Sequence, residues 1–358
     1  MIKSEKYKKF KARMKYKHPR IYLLLRTINQ EIHGDDRYVQ KVLAFKETPD
    51  SDFLDIRHNG STNYEKTLYV IKENSDREGF CATLRFTIGF ILYAKEHGFE
   101  PVMRLSKDFV YYDEEMSMEI SNPWKYYFLA PKDVYDENEA MHVCYCQYYH
   151  MMTIKEYEKL DAYRTDNYYD ESLFKACTPV IKEYMEIKPE IVNEATEFIN
   201  TAKDGDGIIL GVHFRGTDYK KGYNEHPVFV GAKKTIEEIE KAMEKQKVRA
   251  IFVATDDTSF CNEVKKKIGD IEVLQYQDVY RSDGDESVAF SKSDRKKHHY
   301  LLGYEILRDM YTLSLCDGLI AGKSSVGFIS NLYKHSRDEE YVYMHIIDKG
   351  NNSNEKNF

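Results

Sequence analysis

Residues 207–219 read GIILGVHFRGTDY, an uninterrupted apolar run that ends in charged and hydroxylated side chains. A continuous run of this kind is typical of a parallel strand that is buried on both faces. Further apolar runs at 250–254 (AIFVA) and 318–321 (GLIA) follow helical patterns at 235–245 and 298–316. This alternation predicts a doubly wound α/β domain. Its remaining elements are predicted as helices at 260–268 and 326–334 and strands at 271–276 and 341–347.

A shorter alternation precedes this domain. The segments 66–71 (KTLYVI) and 100–105 predict strands on either side of a helix at 80–96, which makes a βαβ unit. Residues 153–203 predict mainly helix, interrupted at Pro179 and Pro189. The turn sequence DGDG follows and indicates a domain boundary. We therefore expect an N-terminal α/β domain with a basic arm and a helical insert over 1–204, a Rossmann-like domain over 205–350, and a polar tail over 351–358.

Composition and charge exclude several classes of protein. The chain of 358 residues has 53 Lys and Arg against 60 Asp and Glu, a net charge of −7 that disfavours nucleic-acid binding. It has no apolar run of the roughly 20 residues that cross a bilayer. Its 6 cysteines are scattered, which favours reduced thiols and a cytoplasmic location. The basic segment 1–26 ends in IYLLLR, which suits either peripheral contact with an anionic membrane or a solvated arm.

The first candidate site follows the apolar run at 207–214. His213 and Arg215 are two residues apart, so an extended chain presents both side chains on one side. Arginine grips a phosphate through two parallel hydrogen bonds and keeps its charge at any relevant pH. The pair therefore favours anion binding, and the alternative is an Arg215–Asp218 ion pair that closes the loop.

The second candidate is LIAGKSS at 319–325, another apolar strand that ends in Ser324 and Ser325 before a helix. Hydroxyl and N–H groups at a helix N-terminus suit an anion. The pattern differs from a P-loop because Gly318 and Gly322 are separated by three residues where four are required. An ordinary serine N-cap is the alternative interpretation.

Two further segments contribute candidates of lower specificity. Asp256 and Asp257 follow a predicted strand, where they could orient a ribose or Arg215, and Asp257 could equally cap the next helix. In NSDREGFC at 74–81, Gly79 permits close approach of a ligand to the backbone. Two DGD sequences, at 204–206 and 283–285, resemble a metal-binding motif but are interpreted as turns. The Cys and His residues at 142–150 match no usual zinc spacing. We therefore expect no metal site.

Three motifs in this order, HFRGTDY (213–219), VATDD (253–257) and LRDMYTLSLCDGLIAGKSS (307–325), resemble the GDP-fucose-dependent fucosyltransferase superfamily. The likeness is greatest to the α1,6-fucosyltransferases, which include nodulation-factor enzymes, and it extends to the segment 74–103. The Arg215-Gly216 pair is more similar to the α1,2- and protein O-fucosyltransferase branches, because the α1,6 branch has two adjacent arginines.

The resemblance implies a GT-B-like pair of Rossmann-type domains that face a central cleft, with the N-terminal domain on the acceptor side. It implies metal-independent, inverting transfer of fucose from GDP-β-L-fucose to a hydroxyl of a glycan or glycoconjugate, without a cofactor. Arg215 would hold the β-phosphate and stabilise the departing GDP. Asp309 would accept hydrogen bonds from guanine N1–H and N2–H₂, and His213 would lie against the nucleoside.

The remaining residues carried over by the resemblance surround the diphosphate. Its oxygens would be received by Ser324 and Ser325 and by backbone N–H groups around Gly79, Phe80 and Cys81. Asp256 and Asp257 would support Arg215 and its loop. The general base stays open between Asp218 and Glu225.

Three alternatives remain open from the sequence. The same fold could use another nucleotide sugar, because the phosphate-binding residues do not contact the sugar. LIAGKSS could serve a P-loop-like kinase or sulfotransferase. The chain could also be a non-catalytic subunit that binds a glycan or a nucleotide.

Overall fold

The computed structural model describes residues 21, 22, 24, 25, 28, 55–75, 77–130, 135–202, 204–223, 225–281 and 287–352. By its contacts the chain divides into two units, one with residues 1–54 and 147–153 and the other with residues 55–146 and 154–358. Both sheets belong to the second unit. Segment 1–26, interpreted either as a membrane contact or as a solvated arm, lies largely outside the described residues.

The N-terminal half of the second unit contains a four-stranded sheet. Its strands are β1 (Ile56–Arg57), β2 (Leu68–Ile71), β3 (Glu100–Met103) and β4 (Val143–Tyr145). They lie in the order β1-β4-β2-β3, with β2 parallel to both β3 and β4 and with β1 antiparallel to β4. Helix α1 (Phe80–Glu96) connects β2 to β3, so the predicted βαβ unit is confirmed. Strands β1 and β4 were not predicted from the sequence, because two or three residues are too few to show a period.

A helical segment connects this sheet to the second one. It contains α4 (Glu171–Tyr184) and α5 (Pro189–Ile199). Two shorter helices precede it: α2 (Glu114–Ser117) lies between β3 and β4, and α3 (Tyr148–Thr153), after β4, belongs to the first unit.

The predicted interruption at Pro179 is wrong, since this proline lies inside α4. A proline removes one helical hydrogen bond, but the Asp170 carboxylate caps the helix by accepting from Leu173 N–H at 2.9 Å. The apolar face of α4 is also buried, and this packing offsets the loss. Pro189 occupies the first turn of α5, where the missing N–H has no helical partner in any case.

The C-terminal half contains a five-stranded sheet. Its strands are β5 (Ile208–Phe214), β6 (Val248–Thr255), β7 (Glu272–Leu274), β8 (Gly318–Gly322) and β9 (Tyr343–Ile347). Helices α6 (Ala232–Lys245), α7 (Thr258–Lys267), α8 (His298–Leu315) and α9 (Ser325–Ser336) alternate with them. All strands are parallel, in the order β7-β6-β5-β8-β9. The predicted α/β class and the two sheets are confirmed.

The strand order decides where a ligand can bind. The chain progresses outward from β5 through β6 to β7, and then returns to β8 on the other side of β5. In open α/β sheets the ligand crevice lies at such a reversal, beyond the carboxyl ends of the strands. Arg215 follows β5 and Ser324 follows β8, so both stand at this point.

The two halves meet where α8 packs against α1. Gly303 of α8 lies directly against the Tyr127 hydroxyl and the Phe80 ring, so that any side chain at this position would displace them. The Tyr127 hydroxyl donates to the carbonyl of Tyr300 at 2.9 Å. This close approach of α8 brings its polar residues to the beginning of α1. Among the described helices, none is both long enough and apolar enough to cross a membrane.

Candidate active site

A cleft of about 400 Å³ opens at the carboxyl ends of β5, β6 and β8 and at the beginning of α1. Nine residues predicted from the sequence line it, namely Gly79, Phe80, Cys81, His213, Arg215, Asp256, Asp309, Ser324 and Ser325. Asp257 and Glu225 lie outside the lining. Asp218 begins a 3-10 turn, Asp218–Lys221, and its side chain is outside the described part of the structure.

Asp256 shapes the loop that carries Arg215. One carboxylate oxygen accepts from the N–H of Gly216 at 2.8 Å, and the other accepts from the Thr217 hydroxyl at 2.7 Å. Thr217 is fully buried, which makes these bonds more rigid than surface contacts. Of the two predicted acids, Asp256 is therefore the one that directly supports the Arg215 loop.

Asp257 has a structural role instead. Its carboxylate caps α7 by accepting from Ser259 N–H at 2.8 Å, and Lys220 Nζ lies 3.6 Å away. Gly216 packs against this cap, since a Cβ atom at residue 216 would lie 2.5 Å from Asp257 Cβ and 2.7 Å from Phe214 Cε1. The glycine that follows Arg215 is thus required by the space available.

Gly216→Ala is expected to destabilise the protein by about 1–3 kcal/mol, because the new methyl group overpacks the loop against Asp257 and Phe214. Thermal unfolding of the two proteins measures this as a fall of several degrees in Tm. Gly205→Ala is the matched control, because a Cβ there meets no atom within 4 Å. Equal Tm values for the two variants would contradict the prediction.

His213 is a buried, neutral imidazole. Burial and the nearby Arg215 charge lower its pKa to about 3. Its Nδ1 lies 3.1 Å from the Ser324 hydroxyl, which accepts from Gly327 N–H at 3.2 Å as the cap of α9. Ser324 therefore acts both as the cap of α9 and as an anchor for the imidazole. Ser325 and Val326, in the first turn of α9, remain at the surface of the cleft.

The beginnings of two helices face the same cleft. At α9 the Ser324 N–H donates to the Tyr168 hydroxyl at 3.0 Å, and at α1 the Phe80 N–H donates to the Tyr111 hydroxyl at 3.0 Å. These two predicted donors are thus already used by tyrosines. Helix geometry leaves the next N–H groups, at Ser325 and Cys81, without an intrahelical acceptor. Their partial positive charges add to that of Arg215.

Asp309 lies on the cleft-facing stripe of α8. Leu302, Glu305 and Ile306 share this stripe, as the helical period requires. Burial raises the pKa of Asp309 to about 7, and it outweighs the opposing effect of the positive charges of Arg308 and Arg281. The site thus holds a carboxyl group that gains or loses its proton near neutral pH.

The described residues between β7 and α8 form a wall of the cleft, and none of them was predicted as a site residue. Val279, Tyr280 and residues 287–290 line the cleft. Glu305 holds this wall, because it accepts from Tyr280 N–H at 3.1 Å and pairs with Arg295. Glu305 could have been predicted as a cleft residue, because it precedes Asp309 by four residues in a predicted helix and so lies on the same face. No local sequence feature distinguished Tyr280.

His226 also lines the cleft, whereas its neighbour Glu225, one of the two acids left open as the base, does not. Glu225 has a left-handed backbone with φ of 65° and an exposed side chain. Lys323, the lysine of LIAGKSS, is only 6% exposed and pairs with Asp348 at 2.7 Å and with Asn351 Oδ1 at 2.8 Å. Lys323 is not among the residues that line the cleft.

Comparison with solved structures finds similarity to NodZ fucosyltransferase and to POFUT1, among others. NodZ α-1,6-fucosyltransferase soaked with GDP-fucose aligns with 75% of this chain and 92% of its own, at 16% identity and a TM-score of 0.44. The fucosyltransferase NodZ from Bradyrhizobium aligns with 76% of this chain and 93% of its own, at 16% identity and a TM-score of 0.43. POFUT1 in complex with GDP-fucose aligns with 80% of this chain and 99% of its own, at 11% identity and a TM-score of 0.43. No protein-family model and no curated protein matches the chain. Support for a particular function therefore comes from the cleft residues.

Proposed function

We propose that this protein is a metal-independent, inverting glycosyltransferase that uses GDP-fucose as its donor and a hydroxyl of a glycan or glycoconjugate as its acceptor. The observation that carries the proposal is the composition of a single cleft. Arg215 and two helix beginnings suit a diphosphate, and Asp309 suits a guanine base in the same cavity. The sequence motifs that resemble GDP-fucose-dependent enzymes contain these same residues.

The diphosphate would be held by Arg215 and by the N–H groups at the beginnings of α1 and α9. A guanidinium forms bidentate bonds to phosphate oxygens, and a helix N-terminus adds a partial positive charge. These groups compensate the charge that accumulates on GDP as the sugar–phosphate bond breaks, which is the largest electrostatic demand of the reaction. No metal ion is needed for this role.

The guanine would bind at Asp309. An ionised carboxylate accepts two hydrogen bonds side by side, which matches the adjacent N1–H and N2–H₂ donors of guanine. Adenine has no donor at N1 and uracil presents a single one, so the same carboxylate discriminates against both. The nearly neutral pKa of Asp309 means that binding requires release of its proton below about pH 7.

The other enzyme class considered, a P-loop-like kinase or sulfotransferase, is not favoured. Its phosphate-binding lysine would have to be Lys323. That ammonium group is buried against Asp348 and Asn351, and releasing it would leave the partly buried carboxylate of Asp348 without its counterion.

The test is the nucleotide preference of Asp309→Asn, measured by calorimetric titration in EDTA with GDP, XDP, ADP and UDP. Wild type is expected to bind GDP best. The variant should bind GDP about 10- to 100-fold more weakly, the range expected for losing a hydrogen bond to a charged group. It should also prefer XDP, because an asparagine N–H₂ pairs with the carbonyl that xanthine has at C2.

Asp206→Asn is the matched control, since this aspartate side chain is 90% exposed and its ion pair, with Lys247, is on the surface. Wild type without a guanine preference would disprove the base assignment, and GDP binding only with Mg²⁺ would disprove metal independence. GDP-fucose and GDP-mannose are then compared as donors. Binding without turnover would favour a non-catalytic subunit.

A further inference from the structure

His226 is held in the cleft by its backbone. The N–H of Asn352 donates to the carbonyl of His226 at 2.8 Å, and the N–H of Glu225 donates to the carbonyl of Asn352 at 2.9 Å. Val228 N–H continues this pairing to the carbonyl of Gly350 at 3.0 Å. The left-handed turn at Glu225 precedes His226, so the glutamate is exposed while the imidazole lines the cleft.

The imidazole ring also has a defined neighbour. The Tyr163 hydroxyl lies 3.4 Å from Nδ1 of His226, and the two ring centroids are 5.3 Å apart. The guanidinium of Arg85 lies 5.7 Å from the centre of the Tyr163 ring. When Nδ1–H donates to the tyrosine oxygen, the basic lone pair of the imidazole is on Nε2.

His226 lines the same cleft as Arg215, and the two residues that follow His226 approach Arg215. A recess of about 30 Å³ beside the cleft is lined by Arg215 together with Pro227 and Val228, the two residues that follow His226. Because Arg215 would bind the β-phosphate, the reacting C1 atom of the sugar belongs near this segment. Asp309, in contrast, lies on α8 beside the wall between β7 and α8.

The other described acidic and imidazole groups that line the cleft have contacts or a proposed role that compete with proton transfer; these are His213, Asp256, Glu305 and Asp309. Glu78 accepts from the side-chain amide of Asn74 at 2.7 Å in the turn before α1.

We propose that His226 is the base that removes the proton from the acceptor hydroxyl, an inference that rests on the proposed function. The acceptor oxygen forms a bond to C1 of fucose as the bond from C1 to the β-phosphate oxygen breaks. GDP departs with that electron pair and is stabilised by Arg215. The acceptor proton passes to Nε2 of His226, and Tyr163 orients the ring.

The experiment compares His226→Gln with wild type by GDP release from GDP-fucose, using a mixture of mono- and disaccharides as hydroxyl probes. The variant is expected to lose about 10²- to 10⁴-fold in kcat, the usual contribution of a general base. Its affinity for GDP should change less than about threefold, which shows that it is folded. Azide should restore GDP release, because this nucleophile carries no proton to remove.

His345→Gln is the matched control, since His345 pairs with Glu238 at 3.3 Å and is not among the residues that line the cleft. Turnover by His226→Gln equal to that of wild type would overturn the base assignment alone. Loss of GDP affinity in the variant would assign His226 to donor binding instead. If wild type releases no GDP with sugars or with azide, the proposed function fails, and the base assignment fails with it.

Discussion

Arg215→Ala is expected to lower kcat for GDP-fucose consumption by about 10²- to 10³-fold, equivalent to roughly 3–4 kcal/mol of transition-state stabilisation. The reason is that negative charge on the diphosphate grows as the sugar leaves, so a fixed guanidinium interacts more strongly with the transition state than with the bound donor. The measurement is steady-state release of GDP in EDTA, together with GDP affinity from calorimetry.

The controls separate charge from geometry. Arg215→Lys retains the positive charge without the bidentate geometry, so its kcat should fall between those of wild type and the alanine variant. Arg57→Ala should behave as wild type, because Arg57 is an exposed residue of β1 that pairs with Asp55 at 2.7 Å. An Arg215→Ala enzyme with more than half of the wild-type kcat would show that another group stabilises the leaving diphosphate.

The same residue illustrates how far the sequence could predict the site. The strand before Arg215 is apolar over residues 208–212, and such runs are recognisable because burial on both faces disfavours polar residues. Polar side chains that follow such strands meet at one edge of a parallel sheet. For this reason His213, Arg215, Asp256, Ser324 and Ser325 were predicted as candidates, and the structure brings them to one cleft.

The prediction failed where the relevant contact joins distant parts of the chain. Tyr163 and His226 are 63 residues apart, and their proximity depends on how the helical segment packs. Glu225 was one of two candidate bases, beside Asp218, because of its distance from Arg215 along the chain, but its backbone is left-handed and its side chain is exposed. Pro179 inside α4 is a similar case, because tertiary burial outweighs the local preference of one residue.

Asp309→Asn is expected to stabilise the ligand-free protein at pH 8, although it weakens GDP binding. Burial raises the pKa of the carboxyl group from 3.8 to about 7, which corresponds to roughly 4 kcal/mol of lost stability when it is ionised. The folded state holds a proton that the unfolded state releases, so this loss develops as the pH rises from about 4 to about 7. Asparagine is neutral throughout and avoids it.

The measurement is urea unfolding of both proteins at several pH values between 4.5 and 8. The variant should exceed wild type by about 2–4 kcal/mol at pH 8, and the difference should shrink toward pH 4.5. Asp206→Asn, at a site 90% exposed, should change stability by less than about 0.5 kcal/mol at every pH. A difference for Asp309→Asn that is constant with pH would mean that the carboxyl group does not titrate in this range.

This stability cost also explains how Asp309 would select guanine. In the free protein the carboxylate is partly buried, and the positive charges of Arg308 and Arg281 only partly offset the effect of this burial on its pKa. Two guanine N–H donors would bond to the ionised form, so binding would lower the pKa of Asp309 and release its proton near pH 7. A base without these donors would leave the carboxylate unsatisfied. Discrimination would thus arise from the cost of the unpaired group as much as from the bonds to the correct base.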